Sequence, residues 1–249
     1  MRFIALLSGG KDSIYNTMKA LEENHQLVAV LNMKTPEEKD SYMYQYAGNN
    51  LVAAVAECLN VPLEQAETSG LSKTQDLDYQ ETADDEVEDL YHALKHLKEK
   101  YSLEGVGVGA IMSQYQNNRV INVCQRLSLT PLAYLWNRNQ RELLEEMVDA
   151  KVDAILIKAG GHPLSALIGK NISEVLTTYT AYAANQIELS KGVLTEEDFN
   201  VCGEGGEYET LTLDAPIFTK RIVLTKTSFT TDETDTVTLN LLEFKVVLK

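Results

Sequence analysis

Residues 8–13, Ser-Gly-Gly-Lys-Asp-Ser, constrain the fold of this chain more than any other stretch. They follow an apolar run at residues 3–7, which is typical of a buried parallel strand. They precede a segment in which Ile14, Met18 and Leu21 recur at helical spacing, which predicts an amphipathic helix. A strand, a glycine-rich turn and a helix in this order direct free backbone N–H groups and the positive end of the helix dipole at the turn. The segment is therefore predicted to cradle phosphate.

The composition of this turn indicates which kind of phosphate cradle it is. Asp12 follows Lys11, whereas the common P-loop, G-x-x-x-x-G-K-[ST], has Ser or Thr directly after its lysine. A carboxylate at that position suggests a residue that serves the metal on a pyrophosphate. The pattern resembles the PP-loop of the N-type ATP pyrophosphatases, which split ATP between its α- and β-phosphates and adenylate an oxygen of their substrate. The alternative is a plain glycine turn before a polar helix start. The residues predicted to bind the nucleotide here are Ser8, Gly9, Gly10, Lys11, Asp12 and Ser13, with Asp12 also the predicted metal ligand.

Length and charge exclude several classes of protein. With 249 residues, the chain is long enough for one large domain or two modest ones with ample core. A net charge of −15 argues against binding nucleic acid through phosphate contacts, and it allows a basic protein partner. No apolar run approaches the ~18–20 residues that a membrane helix needs. Three widely spaced cysteines indicate neither a disulfide framework nor a zinc site, so we expect a reducing, cytoplasmic setting without a cleaved signal.

Predicted strands and helices alternate over the first 136 residues. Such β-α alternation predicts a Rossmann-like (HUP-type) α/β fold, with a parallel sheet flanked by helices. The later part of the chain contains a predicted helix at 141–149, a strand at 153–159, a helix at 171–187 and two strand-like runs at its end. We therefore expect an ATP-binding α/β domain at residues 1–138 and a smaller C-terminal α+β domain at 139–249. Within the first domain, the predicted strands include 26–33, 105–111 and 131–136.

Further candidates for the nucleotide site follow the predicted strands, because ligands bind at the carboxyl ends of strands in such sheets. Tyr42 and Met43 are suited to packing on an adenine ring, or equally to packing down the long loop that carries them. Glycines in the strand at 105–111, among them Gly109, indicate close approach by a ligand or by another backbone. Arg119 is suited to neutralising a phosphate; the alternative is a surface arginine.

A second glycine-rich stretch, residues 202–210, reads Cys-Gly-Glu-Gly-Gly-Glu-Tyr-Glu-Thr and fits no regular helix or strand. Glu204, Glu207 and Glu209 place like charges in one turn, which is unfavourable unless something positive lies there. Magnesium pyrophosphate, an ammonium ion or a basic substrate group would serve, and the alternative is an acidic surface turn. We expect this turn to lie over residues 8–13 and its three glutamates to be catalytic.

Acidic residues also crowd the start of the helix predicted at 84–100. Complementarity with the helix dipole explains them without any function. It remains open whether one or two of them face the substrate. The residues are Asp84, Asp85, Glu86, Glu88 and Asp89.

Together, residues 8–13 and 203–210 make the chain resemble the diphthine–ammonia ligase (diphthamide synthase) family, which carries out the last step of diphthamide synthesis. The resemblance spans nearly the whole chain, and its other supporting stretches are residues 40–45, 85–91, 109–120 and 131–140. Two departures stand out. Ile121 stands where the family usually has Glu, which puts any role for that Glu in doubt. Residues 181–199 look longer than in relatives, which puts a family-wide interface there in doubt.

The resemblance implies a reaction, its cofactors and its partners. The carboxylate of diphthine on elongation factor 2 attacks the α-phosphate of ATP, and ammonium then supplies the nitrogen, so that diphthamide, AMP and pyrophosphate result. The implied cofactors are ATP and Mg²⁺, with Lys11 at the α-phosphate and Asp12 at the metal. Acids of residues 203–210 would bind ammonium or accept its proton. Nucleotide contacts are also implied for Ser113 and Gln116, and the oligomeric state is open, a homodimer included.

Two other functions stay open. A tRNA-modifying enzyme of the PP-loop class, such as a sulfurtransferase, would want a reactive cysteine pair and a basic RNA-binding surface, and the sequence shows neither. A non-enzymatic nucleotide-sensing domain would bind ATP without producing AMP.

Overall fold

The structure is a computed structural model that describes residues 1–35, 41–44, 47–160, 164–190 and 200–249, and of residues 182–190 the backbone alone. Asp40, Gln45 and residues 191–199, which belong to stretches discussed above, lie outside the described residues. None of the described helices is both long and apolar enough to cross a membrane.

A parallel sheet occupies the N-terminal half, as the sequence predicts. Its strand order is β3-β2-β1-β4-β5, so the order reverses beside β1, where doubly wound sheets bind ligands. Four helices connect the strands. The elements are β1 (Arg2–Leu6), α1 (Lys11–Glu22), β2 (Gln26–Lys34), α2 (Val52–Leu59), β3 (Leu63–Glu67), α3 (Glu86–Tyr101), β4 (Gly105–Gly107), α4 (Gln114–Arg126) and β5 (Thr130–Leu132).

Alternating side chains of β1 divide the core between the two faces of this sheet. Phe3 and Ala5 pack with α1 and α2 on one face, while Ile4 packs with residues of α3 and α4 on the other. All three are essentially inaccessible to solvent, because a central parallel strand is covered on both sides. This fixes the position of β1, and with it the turn at residues 8–13.

The C-terminal half forms an antiparallel sheet in the order β7-β6-β9-β8, which completes the predicted α/β class with its α+β portion. Its elements are α5 (Gln140–Asp149), β6 (Asp153–Gly160), α6 (Ile172–Ser190), β7 (Tyr208–Asp214), β8 (Lys220–Thr231) and β9 (Thr236–Leu248). Apolar side chains from both halves share one core, for example Val55 of α2 and Leu211 of β7. The division into domains at residue 138 stays a prediction.

The structure corrects three predicted elements. Tyr208, Glu209 and Thr210 belong to β7, although residues 202–210 are predicted to be irregular; Thr210 pairs with Leu156 of β6, and this ladder outweighs the glycine-rich composition of the segment. β4 ends at Gly107 instead of continuing to residue 111, and β5 covers only Thr130–Leu132. Both strands are short because the chain leaves the sheet after Gly107 and Leu132 and turns toward the following helices, α4 and α5.

Candidate active site

A cleft of about 580 Å³ opens where the carboxyl ends of the parallel strands meet residues 202–210. Both glycine-rich segments line it, so the structure brings together the two stretches that the sequence predicts to face one ligand. Most of the predicted site residues are on its wall. They are Ser8, Gly10, Lys11, Asp12, Ser13, Tyr42, Met43, Gly109, Ser113, Gln116, Glu204 and Glu209.

The turn at residues 8–13 has the geometry of a phosphate cradle. Gly9 adopts the left-handed φ of +87°, which glycine tolerates without strain. Gly10 precedes α1 in an extended conformation, and no side chain caps the helix start. Ser13 donates its hydroxyl to the Gly10 carbonyl (3.0 Å), and Ser8 accepts the Gly10 N–H (3.2 Å). The uncapped start of α1 is therefore suited to an anion.

Lys11 is the most enclosed cation of the cleft, with 2% of its surface exposed. Its Nζ donates to the Cys202 carbonyl (2.6 Å) and to the Asp12 carboxylate (3.0 Å), and it lies 4.9 Å from the centre of the Tyr208 ring. Burial by itself would lower the pKa of Lys11, but Asp12, Tyr208 and Cys202 together raise that pKa above its usual value. Lys11 is thus a permanent positive charge held in one position.

Two carboxylates lie beside this lysine. Burial raises the pKa of Asp12 against the opposing effect of Lys11. Burial, followed by the charge of Asp12, raises the pKa of Glu204. The Oδ1 atom of Asp12 is buried and, among the described residues, has no hydrogen-bond partner. A cation between these carboxylates would lower both pKa values and satisfy that oxygen.

The fit of the cleft to magnesium rests on these oxygens. The described residues include no cluster of three or more side chains suited to a metal ion. Mg²⁺ does not require such a cluster, since it is held by one or two carboxylates together with substrate phosphates and water. Asp12, with its orphaned oxygen, and Glu204 therefore suit Mg²⁺ on a nucleotide.

The other two glutamates of residues 202–210 make protein contacts. Glu207 accepts hydrogen bonds from the backbone N–H (3.1 Å) and the Nδ2 atom (3.0 Å) of Asn200, and it is not part of the cleft wall. Glu209 lines the cleft with its carboxylate 3.7 Å from the ammonium group of Lys158. The structure therefore brings Glu204 and Glu209 to the cleft and directs Glu207 to Asn200.

Arg119 is not placed where the predicted phosphate contact requires it. Its side chain is fully buried, its guanidinium stacks 3.3 Å from the centre of the Tyr115 ring, and it donates to the Thr74 carbonyl (2.7 Å). Arg119 therefore lies behind the cleft wall, since an aromatic face and a carbonyl satisfy a guanidinium without a phosphate. Gly9 likewise lies outside the cleft wall, where it shapes the turn.

Tyr42, Met43 and α4 form the opposite side of the cleft. Tyr42 is 59% exposed, and its ring lies 5.4 Å from that of Tyr115. Gln116 donates to the Tyr42 carbonyl (3.2 Å), and Ser113 caps α4 by accepting the Gln116 N–H (3.3 Å). These contacts hold an apolar wall beside the phosphate cradle, which is the arrangement that an adenine ring requires.

Gly109 has the close backbone contact that its position in the sequence suggests. A Cβ atom built there would lie 2.8 Å from the backbone nitrogen of Ser13 and 3.0 Å from the carbonyl carbon of Asp12. Only glycine lets the segment after β4 pass so near the start of α1.

Sequence reasoning missed the residues that fasten the two segments to each other. The hydroxyl of Thr210 accepts the backbone N–H of Lys11 (3.0 Å), and the Thr212 N–H donates to the Gly9 carbonyl (2.8 Å). Gln140 accepts the Cys202 N–H (3.1 Å) and donates to the Asn200 side chain (3.1 Å). No local sequence pattern predicts these contacts, because they join residues that are far apart in the sequence.

Comparisons with known proteins agree across the chain. A sequence model of the diphthamide synthase N-terminal domain matches residues 1–131, and one of the diphthamide synthase C-terminal domain matches residues 139–239. The diphthine–ammonia ligase of Mus musculus is 47% identical over 230 residues, which cover 90% of this chain and 83% of that protein. The human diphthine–ammonia ligase is 46% identical over the same shares. That of Saccharomyces cerevisiae is 40% identical over 88% of this chain but only 33% of its own length.

The crystal structure of a predicted subunit of tRNA methyltransferase from Methanocaldococcus jannaschii covers 87% of this chain and 98% of its own, with a TM-score of 0.42 and 14% identity. That likeness is too weak to bear on function. The two family models and the identities of 46–47% over 90% of the chain are strong evidence. They show that the chain belongs to the diphthamide synthase family.

Proposed function

We propose that this chain catalyses the ATP-dependent amidation of diphthine on elongation factor 2, with ammonium as the nitrogen source. The reaction passes through an acyl-adenylate and releases AMP and pyrophosphate. Family membership supports the reaction class, since the relatives are named diphthine–ammonia ligases. The protein substrate is elongation factor 2 that bears diphthine, and the reaction belongs in the cytoplasm. The strongly acidic chain suits a basic protein surface better than RNA.

One observation carries this proposal: the PP-loop and residues 202–210 form the two sides of one cleft and are joined through Lys11. A nucleotide-sensing domain needs the first segment alone. The second segment brings Glu204 and Glu209 to the cleft that holds the phosphate cradle. An enzyme that transfers the adenylyl group of ATP needs such additional side chains beside the phosphates, whereas a sensor does not.

The cleft residues divide the work by chemistry. The N-terminal end of α1 and the hydroxyls of Ser8 and Ser13 hold the phosphates, with Lys11 balancing their charge at the α-phosphate. Asp12 and Glu204 are the residues that would hold Mg²⁺. When bound, that ion neutralises the charge of the phosphates and orients them for in-line attack. Tyr42 and Met43 pack on the adenine, and Gly109, Ser113 and Gln116 shape the space beside it.

We assign structural roles to the other two glutamates of residues 202–210. Glu209 positions Lys158 at the cleft edge, and Glu207 fixes Asn200 at the start of the second segment. Because protein side chains engage both carboxylates, we assign neither of them to the metal.

The test of the proposed function is product analysis with α-labelled ATP, unamidated elongation factor 2 and ammonium chloride. We expect labelled AMP in amounts that match the amide formed on elongation factor 2, as measured by mass spectrometry. ADP as the main substrate-dependent product, or nucleotide binding without turnover, would refute it. Transfer RNA offered in place of elongation factor 2 should release no AMP.

A further inference from the structure

The acids at the start of α3 are not alike. Asp85, Glu88 and Asp89 each accept at least two hydrogen bonds. Asp85 caps the helix by accepting the N–H of Val87 (3.0 Å) and also that of Lys73 (2.9 Å). The partners of the other two acids are Arg126 and Tyr79 for Glu88, and Thr68 and Ser69 for Asp89. These three carboxylates are structural.

Glu86 is the exception. Its side chain is fully buried, and neither carboxylate oxygen has a hydrogen-bond partner in the described part of the chain. The nearby Ser41 hydroxyl, which lowers the pKa of Glu86 against the effect of burial, donates toward the Tyr44 carbonyl at 3.5 Å. An unsatisfied buried carboxylate is costly unless a water or an ion completes it.

Further unsatisfied atoms belong to residues in the neighbourhood of Glu86. The Tyr44 hydroxyl, the Thr74 hydroxyl and the Nε of Arg119 are buried and have no hydrogen-bond partner among the described residues. Contacts and charges link the four residues: Arg119 donates to the Thr74 carbonyl, Thr74 donates its N–H to Asp85 (3.4 Å), and the charge of Glu86 acts on Tyr44. Half of the unsatisfied buried polar atoms of the described chain lie in this one place. The concentration of unsatisfied atoms points to a small polar occupant.

The charges and acceptors here favour a cation that donates hydrogen bonds. The groups that act on Glu86 are Asp85, Asp89, Arg119 and Ser41, and the carboxylates outnumber the one guanidinium. Glu86 offers two acceptor oxygens, and the hydroxyls of Tyr44 and Thr74 offer more. An ammonium ion has four N–H donors and one positive charge, so it satisfies several of these acceptors at once.

The place also adjoins the cleft. Ser41 and Tyr44 form part of the cleft wall, and Tyr115, which carries Arg119 on its ring, lines the same side. An occupant at Glu86 is therefore separated from the nucleotide by one layer of side chains.

We propose that Glu86 binds the ammonium ion that supplies the amide nitrogen and accepts one proton from it. This inference rests on the proposed function. The proton moves from ammonium to a Glu86 oxygen, the ammonia formed passes between the Ser41 and Tyr44 side chains into the cleft, and there its lone pair attacks the acyl carbon of the adenylate. The bond from that carbon to the AMP oxygen breaks, AMP leaves with the electron pair, and the second proton lost by nitrogen goes to solvent.

The environment of Glu86 suits a proton acceptor. Burial, and then Asp85 and Asp89, raise the pKa of Glu86, while Ser41 and Arg119 oppose the rise. A carboxylate with a raised pKa takes a proton from ammonium more readily than an ordinary one does.

The experiment separates the two half-reactions in Glu86→Gln, which keeps the size of the side chain. Adenylation is measured as pyrophosphate exchange into ATP that depends on diphthine-bearing elongation factor 2, and amidation as a function of ammonium chloride concentration. We expect exchange within a few fold of wild type and amide formation at low ammonium reduced by about 10²-fold, with a raised KM for ammonium. Hydroxylamine, which is largely uncharged at neutral pH and needs no base, should restore amide-type product formation in the variant.

Controls keep the result interpretable. Glu88→Gln removes a neighbouring carboxylate that already has protein partners, so its KM for ammonium should stay at the wild-type value. Tyr44→Phe removes one acceptor without touching α3, and should raise the KM for ammonium even if Glu86→Gln folds poorly. If the KM for ammonium were unchanged in both Glu86→Gln and Tyr44→Phe, water alone would occupy the space beside Glu86, and the inference would be overturned. Failure of the wild-type chain to form AMP with diphthine-bearing elongation factor 2 would instead refute the proposed function.

Discussion

The Nζ atom of Lys11 lies 2.6 Å from the carbonyl oxygen of Cys202 and joins the PP-loop to the second glycine-rich segment of the cleft. The same lysine forms a salt bridge with Asp12, and with no other acidic side chain among the described residues. Its backbone N–H donates to the Thr210 hydroxyl, so residues 202–210 hold both ends of Lys11. The phosphate cradle is therefore built by both halves of the chain, although its motif lies in the first.

Replacing Lys11 with Met should affect both stability and turnover. The substitution keeps the length of the side chain but leaves Asp12, whose side chain is 30% exposed, without its charged partner, which should cost about 1–3 kcal/mol of the free energy of unfolding. Turnover should fall by ~10²–10³ because one preorganised charge is lost. Urea unfolding and AMP release measure the two effects. Lys19→Met, which removes an exposed pair with Glu22, serves as the control and should be near wild type in both.

Asp12→Asn tests the metal assignment. The amide removes a charge that a magnesium ion would need while relieving the repulsion between Asp12 and Glu204. We expect a folded variant whose turnover falls by ~10²–10³ and whose demand for magnesium rises. Turnover close to wild type at every magnesium concentration would show that Asp12 serves only the start of α1.

The glutamates of the second segment should differ from one another. Glu204 lies beside the Lys11–Asp12 pair, whereas the Glu207 carboxylate is engaged by Asn200. Glu204→Gln should therefore abolish most AMP formation. Glu207→Gln should keep AMP formation within about ten-fold and lower the free energy of unfolding by about 1–2 kcal/mol. Steady-state kinetics and chemical unfolding on both variants distinguish them, and the reverse ranking would contradict the assignment.

The sequence predicts the architecture well because local patterns report it. Apolar runs and helical spacing mark β1, α1 and β2, and the β-α alternation predicts the parallel sheet. Contacts across the chain are harder to predict. Tyr208 looks like part of a turn until it pairs with β6, and Arg119 looks like a phosphate ligand until Tyr115 and Thr74 take its guanidinium. The positions of these two side chains depend on burial and on partners far away in the sequence, and a local sequence pattern contains neither.

Gly109→Ala tests the close packing beneath the cradle. The added methyl group would meet backbone atoms of Asp12 and Ser13 at 2.8–3.0 Å, where no flexible side chain can move aside. We expect the start of α1 to shift, with a loss of stability of about 1–3 kcal/mol and weakened ATP binding. Gly160→Ala is the matched control, because among the described residues its methyl group would meet the Thr236 hydroxyl alone, at 3.6 Å. Calorimetric titration with ATP measures the difference.

Glu86 and Glu88, two residues apart on α3, should shape the pH dependence of stability with opposite signs. Hydrogen bonds from Arg126, against a smaller effect of burial, lower the pKa of Glu88. Its contribution is therefore present above the ordinary carboxyl pKa of about 4.3 and is lost as the pH falls through the lowered value. Burial raises the pKa of Glu86, so its contribution is present below the ordinary value and is lost as the pH rises through the raised one.

The two isosteric variants expose these signs directly. At neutral pH, Glu88→Gln should lower the free energy of unfolding by about 2 kcal/mol, because Arg126 loses its charged partner, and the deficit should shrink toward acid pH. Glu86→Gln should be at least as stable as wild type at neutral pH without ammonium, because it removes a buried charge. Urea midpoints from about pH 4 to pH 8 measure both curves. A loss of stability in Glu86→Gln that grows with rising pH would mean that this carboxylate already has a partner in the protein.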